Sequence, residues 1–128
     1  SFVSKGTTLD LTITSHSKLL IDGKPSSFEG LDKKIEVFVN RVGKRHLIKV
    51  DVDPQASYDS YFQLQNQLVS AYNQLRNQTA QRLFGCSYTS LSADRKEQVK
   101  DACPQRIAEQ YHAGGSPAQS LNGKGTQQ

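Results

Sequence analysis

The chain has no tryptophan and no methionine, so any core must be built from Leu, Ile, Val, Phe and Tyr. Its longest apolar runs are three residues, such as Leu19-Leu20-Ile21. None approaches the roughly 20 residues a membrane helix needs. No stretch has the basic, apolar and small-residue order of a secretory leader. A chain wholly without Met reads as a segment of a longer protein, or as one whose initiator was removed ahead of Ser1.

Cysteine is scarce: Cys86 and Cys103 are the only two. Their spacing excludes a CxxC redox pair, and no Cys/His grouping has zinc-ligand spacing. They are compatible with one disulfide in an oxidising compartment or with two thiols in a reducing one.

Charge of one sign is also thin. The formal net charge is +4, with bases scattered along the chain from Lys5 to Lys124 and adjacent only in isolated pairs such as Lys33-Lys34 and Lys44-Arg45. A nucleic-acid footprint concentrates its bases on one stripe with stacking aromatics. The expectation is a solvated, mildly basic surface and no nucleic-acid partner.

Catalytic motifs are missing too. There is no Walker loop, GxSxG, HExxH or GxGxxG. His16, His46 and His112 fall in a turn, at a strand start and in a tail, and His16 and His46 read as surface residues. Asp51 and Asp53 share one side of a strand, but no third carboxylate or EF-hand glycine loop accompanies them. They read as turn capping and a solvated strand end. No enzymatic activity, metal or cofactor is expected.

What is present is alternation and helical spacing. Leu9-Asp10-Leu11-Thr12-Ile13-Thr14 has the period of a half-buried strand. Lys18 to Asp22 is a second short strand, stopped by the turn signal Gly23-Lys24-Pro25, and the two strands suggest a hairpin. Leu31, Ile35, Phe38, Val39 and Val42 fall on one helical face. Ser26 or Ser27 is placed to cap that helix and Gly43 to end it. Glu29, Lys33, Glu36 and Arg41 lie off its apolar stripe. His46 to Val52 alternates again and is closed by Asp53-Pro54.

A long helix follows from a Ser57 cap, with Tyr58, Tyr61, Phe62, Leu68, Val69, Tyr72 and Leu75 assigned to its apolar face and Gly85 as its end. About 27 residues give roughly 40 Å, longer than a small sheet. Its second half, residues 73–82, is therefore expected to project past the core. Its many amides, from Gln63 to Gln81, read as a neutral solvated face. Ser90 to Asp94 opens a short helix that runs to Ala102 and stops before Pro104.

The fold class is α+β: a small three-stranded sheet packed by amphipathic helices in two layers, with an extended second helix and an extra C-terminal helix. Residues 1–8 form a linker, 9–110 the domain, and 111–128 a polar tail expected to be disordered. Three strands leave an exposed edge, open to strand addition. The strand bearing Leu9, Leu11 and Ile13 is the candidate edge for a second protomer or an extended partner segment.

These residues carry a family resemblance. Leu19 to Pro25, a helix opened by Leu31, the strand His46 to Asp53, and Tyr58 five residues later resemble the ExbD/TolR periplasmic domain. The stretch Ser57 to Asn77, with Phe84-Gly85 and Pro104-Gln105-Arg106-Ile107, is similar to ExbD-like proteins of Bacteroidetes type. Together the matches span about residues 12–110.

The resemblance implies an N-terminal stub and one inner-membrane helix ahead of this domain. That helix would hold the proton-linked carboxylate inside an ExbB-like ring. It implies a periplasmic homodimer that engages a TonB-like protein and so couples the proton motive force to outer-membrane transport. A TolR-like subunit contacting peptidoglycan is the alternative, and the helical extension favours ExbD. Asp53 and Tyr58 would be family-pattern structural residues. In the periplasm Cys86 and Cys103 would form a disulfide tying the extra helix to the long one, contributing about 3 kcal/mol by loop-closure arithmetic.

Overall fold

The computed structural model describes residues 6–110 and residue 112. Most of the expected linker, residues 1–5, and all of the expected disordered tail except His112 lie outside the described residues.

The strands are β1 (Thr8–Ile13), β2 (Leu19–Ile21), β3 (Lys24–Ser26), β4 (Leu47–Val52) and β5 (Ile107–Gln110). The helices are α1 (Leu31–Val42), α2 (Tyr58–Phe84) and α3 (Ala93–Ala102). One five-stranded sheet has the order β3-β2-β1-β4-β5. β1/β2 and β2/β3 are antiparallel, whereas β1/β4 and β4/β5 are parallel. α1 therefore crosses from the hairpin side to β4, and α2 with α3 makes the connection from β4 to β5.

The helices cover one face of the sheet. Leu9, Leu11 and Ile13 of β1, Ile48, Val50 and Val52 of β4, and Leu19 and Ile21 of β2 point into that layer and are buried. They meet Leu31, Ile35 and Phe38 of α1 and Leu64, Leu68, Ala71 and Leu75 of α2 in one cluster. Burying each large side chain contributes about 1.5–3 kcal/mol. On the opposite face, Asp10 and Lys49 are exposed neighbours across the β1/β4 ladder. The two-layer α+β reading holds, with five strands in place of three.

Both additional strands have physical reasons. Asp22 and Gly23 take φ of 50° and 82°, the left-handed pair of a tight two-residue hairpin turn. The Asp22 carboxylate accepts a hydrogen bond from the Asp10 amide at 3.0 Å. Lys24 and Pro25 thus belong to strand β3 and not to the turn. A proline is tolerated there because β3 lies at a sheet edge. β5 has only two apolar residues in four, and its pairing with β4 makes it a strand.

Helix ends also differ from expectation. α1 begins after Gly30, with φ 81° and no side-chain cap. Ser27 instead accepts from the Glu29 amide at 3.1 Å. The Asp32 amide, one of the orphan donors of the first turn, is satisfied by Gln67 Oε1 of α2 at 2.8 Å. Gly43 ends α1, Ser57 caps α2, and Ser92 caps α3. Glu36, assigned off the apolar stripe, is buried against α2, where its Oε1 accepts from Gln78 Nε2 at 3.4 Å.

The second half of α2 does not project. Ala80 is buried with Leu91 and Val99 in a second cluster, with Phe84, Cys86 and Tyr88 packed against it. The extra helix α3 folds back onto α2, and the Arg95 guanidinium stands 4.7 Å from the Phe84 ring. The true core face of α2 runs through Leu64, Leu68, Ala71 and Leu75. Tyr58, Phe62 and Val69, assigned to that face, are 45%, 45% and 58% exposed. Among the described residues no helix is long and apolar enough to cross a membrane.

Candidate functional site

β1 is not an edge. β2 and β4 take its two sides, and Leu9, Leu11 and Ile13 are wholly buried. These residues belong to the core and set the β1/β4 register; they present nothing to a partner. The sheet's edges are β3 and β5. β3 is three residues long and carries Lys24 and Pro25, which protect an edge against pairing. β5 carries neither residue type, so it is the edge available for strand addition.

β5 is anchored at both ends. At its start, the Ile48 amide donates to the Arg106 carbonyl at 2.9 Å, and Arg106 Nε donates to the His46 carbonyl at 2.8 Å. The Arg106 amide meets the Tyr72 hydroxyl at 3.4 Å. That hydroxyl lies 2.6 Å from His46 Nε2, while His46 Nδ1 lies 2.8 Å from the Gly43 carbonyl. A carbonyl only accepts, so Nδ1 carries the proton and Nε2 accepts from Tyr72. Just beyond the strand, His112 bonds the Asp51 carboxylate of β4.

His46 is fully buried, which corrects its reading as a surface residue. Burial pushes its pKa down, opposed by the bond to Gly43 and aided by the Arg106 charge. Burial pushes the Tyr72 hydroxyl up to about 12. Both groups are therefore neutral near pH 7, and the network docks β5 without an internal charge pair.

The Arg106 carbonyl faces β4, so in a parallel ladder the backbone groups of Ala108 and Gln110 face β4 as well. The N–H and C=O of Ile107 and Glu109 point to the other side, where no strand lies among the described residues. Beside this edge stands a stripe of exposed apolar side chains. Tyr58 and Phe62 lie edge to face with centroids 5.1 Å apart, and Tyr61 adjoins Phe62 at 5.9 Å. Helical periodicity puts Val69 on the same flank as Tyr58 and Phe62. α1 contacts the other flank of α2, through Gln67, Ser70 and Gln78. The stripe is thus on the β5 side, where Tyr72 reaches Arg106.

Glu109 lies on the helix-covered face of β5, paired in register with Val50. Burial raises its pKa, and among the described residues its Oε2 has no hydrogen-bond partner. Asp53 caps the turn after β4: its carboxylate accepts from the Gln55 amide at 2.9 Å, and its own amide donates to the Ile13 carbonyl at 2.9 Å. Cys86 and Cys103 are separate thiols. Cys103 is buried in the main cluster and Cys86 packs on the second, so the disulfide implied by the resemblance is not formed.

Among the described residues no three His, Cys, Asp or Glu side chains are grouped to hold a metal ion. Of the residues named from sequence, Leu9, Leu11 and Ile13 come together in the core, while Asp53, Tyr58 and the cysteines are scattered. β5 and the His46–Tyr72–Arg106 network leave only faint sequence signals: two apolar residues in four, and a histidine at a strand start. No family model, curated protein or solved structure matches the chain.

Proposed function

We propose that this is the periplasmic domain of an ExbD-like subunit of the inner membrane, a passive coupler through which an ExbB-like, proton-driven ring passes force to a TonB-like protein. The motifs from Leu19 to Ile107 support the reading, as does the succession of hairpin, crossover helix, strand and long helix. The observation that carries it is the open β5 edge beside Tyr58, Phe62 and Val69.

An extended segment, from a second copy or from the TonB-like partner, adds to β5 through the outward backbone groups of Ile107 and Glu109. Main-chain hydrogen bonds supply affinity, and the aromatic stripe covers one side of the added strand. The gripping surface is thus β5 and α2, while β1 serves the core.

Glu109→Pro tests this. It removes an outward N–H while sparing the β4 ladder, which an edge strand tolerates. The variant is expected to keep its circular dichroism spectrum and to lose both self-association in sedimentation and capture of the TonB-like periplasmic segment. Wild-type levels of both would sink the edge mechanism. A coding sequence upstream of Ser1 without one apolar span bearing an acidic residue would remove the motor assignment and leave the edge result standing. Retention on peptidoglycan, with no capture by the TonB-like segment, would move the assignment to a TolR-like role.

A further inference from the structure

A cleft of about 280 Å³ opens on the side of the domain where α1 ends, α3 ends and α2 passes between them. Nothing in the coupling reading uses it. Its inner surface is mixed: Val39, Leu75, Ala102 and Cys103 supply the apolar part, and Asn40 and Thr79 the polar part. The Cys103 thiol is held protonated by burial, with Arg76 opposing. His46 also lines the cleft, with both ring nitrogens already engaged. Fully buried, it backs the cleft and adds no charge to it.

The rim differs. Lys44 and Arg82 both line the opening, and among the described residues no carboxylate lines it. Both side chains are exposed, and among the described residues neither forms a salt bridge. The C-terminal ends of α1 and α3 also border the cleft, at Gly43 and Cys103. Each helix end contributes about −0.5 charge. Two full cations outweigh two half-charges, leaving a local excess of about +1. Solvated surface lysines and arginines are common, but here they stand over a concave floor that includes Val39, Leu75 and Ala102.

We propose that this cleft is a binding site for a small organic monoanion, a carboxylate on a compact apolar body. The body sits on Val39, Leu75 and Ala102, and the carboxylate lies between Lys44 and Arg82. The volume falls just below the roughly 300 Å³ at which drug-sized pockets begin. It suits a single-ring aromatic or branched aliphatic acid. Charge at the rim and hydrophobic contact within are each weak at this size. The affinity is therefore modest, and loss of either half of the ligand is expected to show.

The test is an amide NMR titration of the domain with benzoate and 3-methylbutanoate, against benzamide as the uncharged isostere and sulfate as the bare anion. The expected result is saturable shifts for Val39, Gly43, Thr79 and Cys103 with the two acids. Benzamide and sulfate should each bind at least about fivefold more weakly. Lys44→Gln and Arg82→Gln lie on exposed residues and leave the fold intact; each should weaken benzoate about threefold, and the double variant about tenfold. Equal binding of benzamide or of sulfate, shifts that never saturate with either acid, or unchanged affinity in the double variant would each overturn the proposal.

Discussion

The His46 imidazole and the Tyr72 hydroxyl meet at 2.6 Å inside the domain, 26 residues apart in the chain. This contact joins the start of β4 to the middle of α2. Through Arg106 it also fixes where β5 enters the sheet.

Removing the hydroxyl tests the network. Tyr72→Phe leaves His46 Nε2 buried without a partner and frees the Arg106 amide. The expected loss is about 1–3 kcal/mol of stability, read as a lower denaturant midpoint at unchanged slope. Hydrogen exchange at Ala108 and Gln110 should speed up more than exchange in β1. Equal acceleration of both strands would mean the hydroxyl serves the core in general and not β5.

Protons should move stability in two opposite directions. The folded pKa of His46 lies below its ordinary 6.5, so the unfolded chain binds more protons in that window. Its contribution is complete above pH 6.5 and is lost as pH falls through the folded value. The folded pKa of Glu109 lies above its ordinary 4.5. The folded chain then holds the extra proton, so stability is lost as pH rises from 4.5 through the folded value. Glu109→Gln should raise the melting temperature at pH 7.5 and lose that advantage below pH 4.5. His46→Gln should flatten the acid limb alone. Denaturant titrations across pH 4–8 check both signs.

Two apolar residues of α2 should respond differently to truncation. Leu64 is fully buried and Phe62 is 45% exposed. Leu64→Ala opens a cavity and should cost about 2–5 kcal/mol. Phe62→Ala should stay within about 0.5 kcal/mol of the parent and reduce capture of the partner segment. A large stability loss at Phe62 with partner capture intact would remove the stripe from the interaction surface.

The two thiols give a direct chemical readout. Intact mass after alkylation in denaturant, with no reductant, should show two adducts, because Cys86 and Cys103 are unbonded. In the folded protein Cys86 should react first, since Cys103 is buried and its thiol is held protonated. An unreactive pair that gains two adducts only after reduction would restore the disulfide.

The edge strand shows why part of the interaction site escaped a linear reading. The alternation of Leu9, Leu11 and Ile13 marks a strand with one buried face, and edge and central strands share that pattern. Edge status depends on which strands lie alongside: β4 joins β1 from 39 residues beyond Thr8, and β5 joins β4 from 99 residues beyond Thr8. In the long helix, Tyr58, Phe62 and Val69 share a helical face just as Leu64, Leu68 and Leu75 do. The core takes Leu68, Tyr72 and Leu75 from the expected stripe and leaves Tyr58, Phe62 and Val69 exposed. In β3, the Asp22-Gly23 pair was the tight-turn signal, obscured by the Gly-Lys-Pro run that follows it.

Local chemistry determined from sequence alone that the chain forms β1, α1, β4, α2 and α3, and where the helices stop. Alternation, 3.6-residue spacing, the Ser57 and Ser92 caps and the end glycines Gly43 and Gly85 act over a few residues and need no distant partner. Only the tertiary structure decided that β1 is central, that β5 exists, that His46 is neutral and buried, and that α3 covers the far half of α2. Each of those depends on which surfaces leave water together. That choice is made by contacts between segments far apart in the chain, which no short window of residues contains.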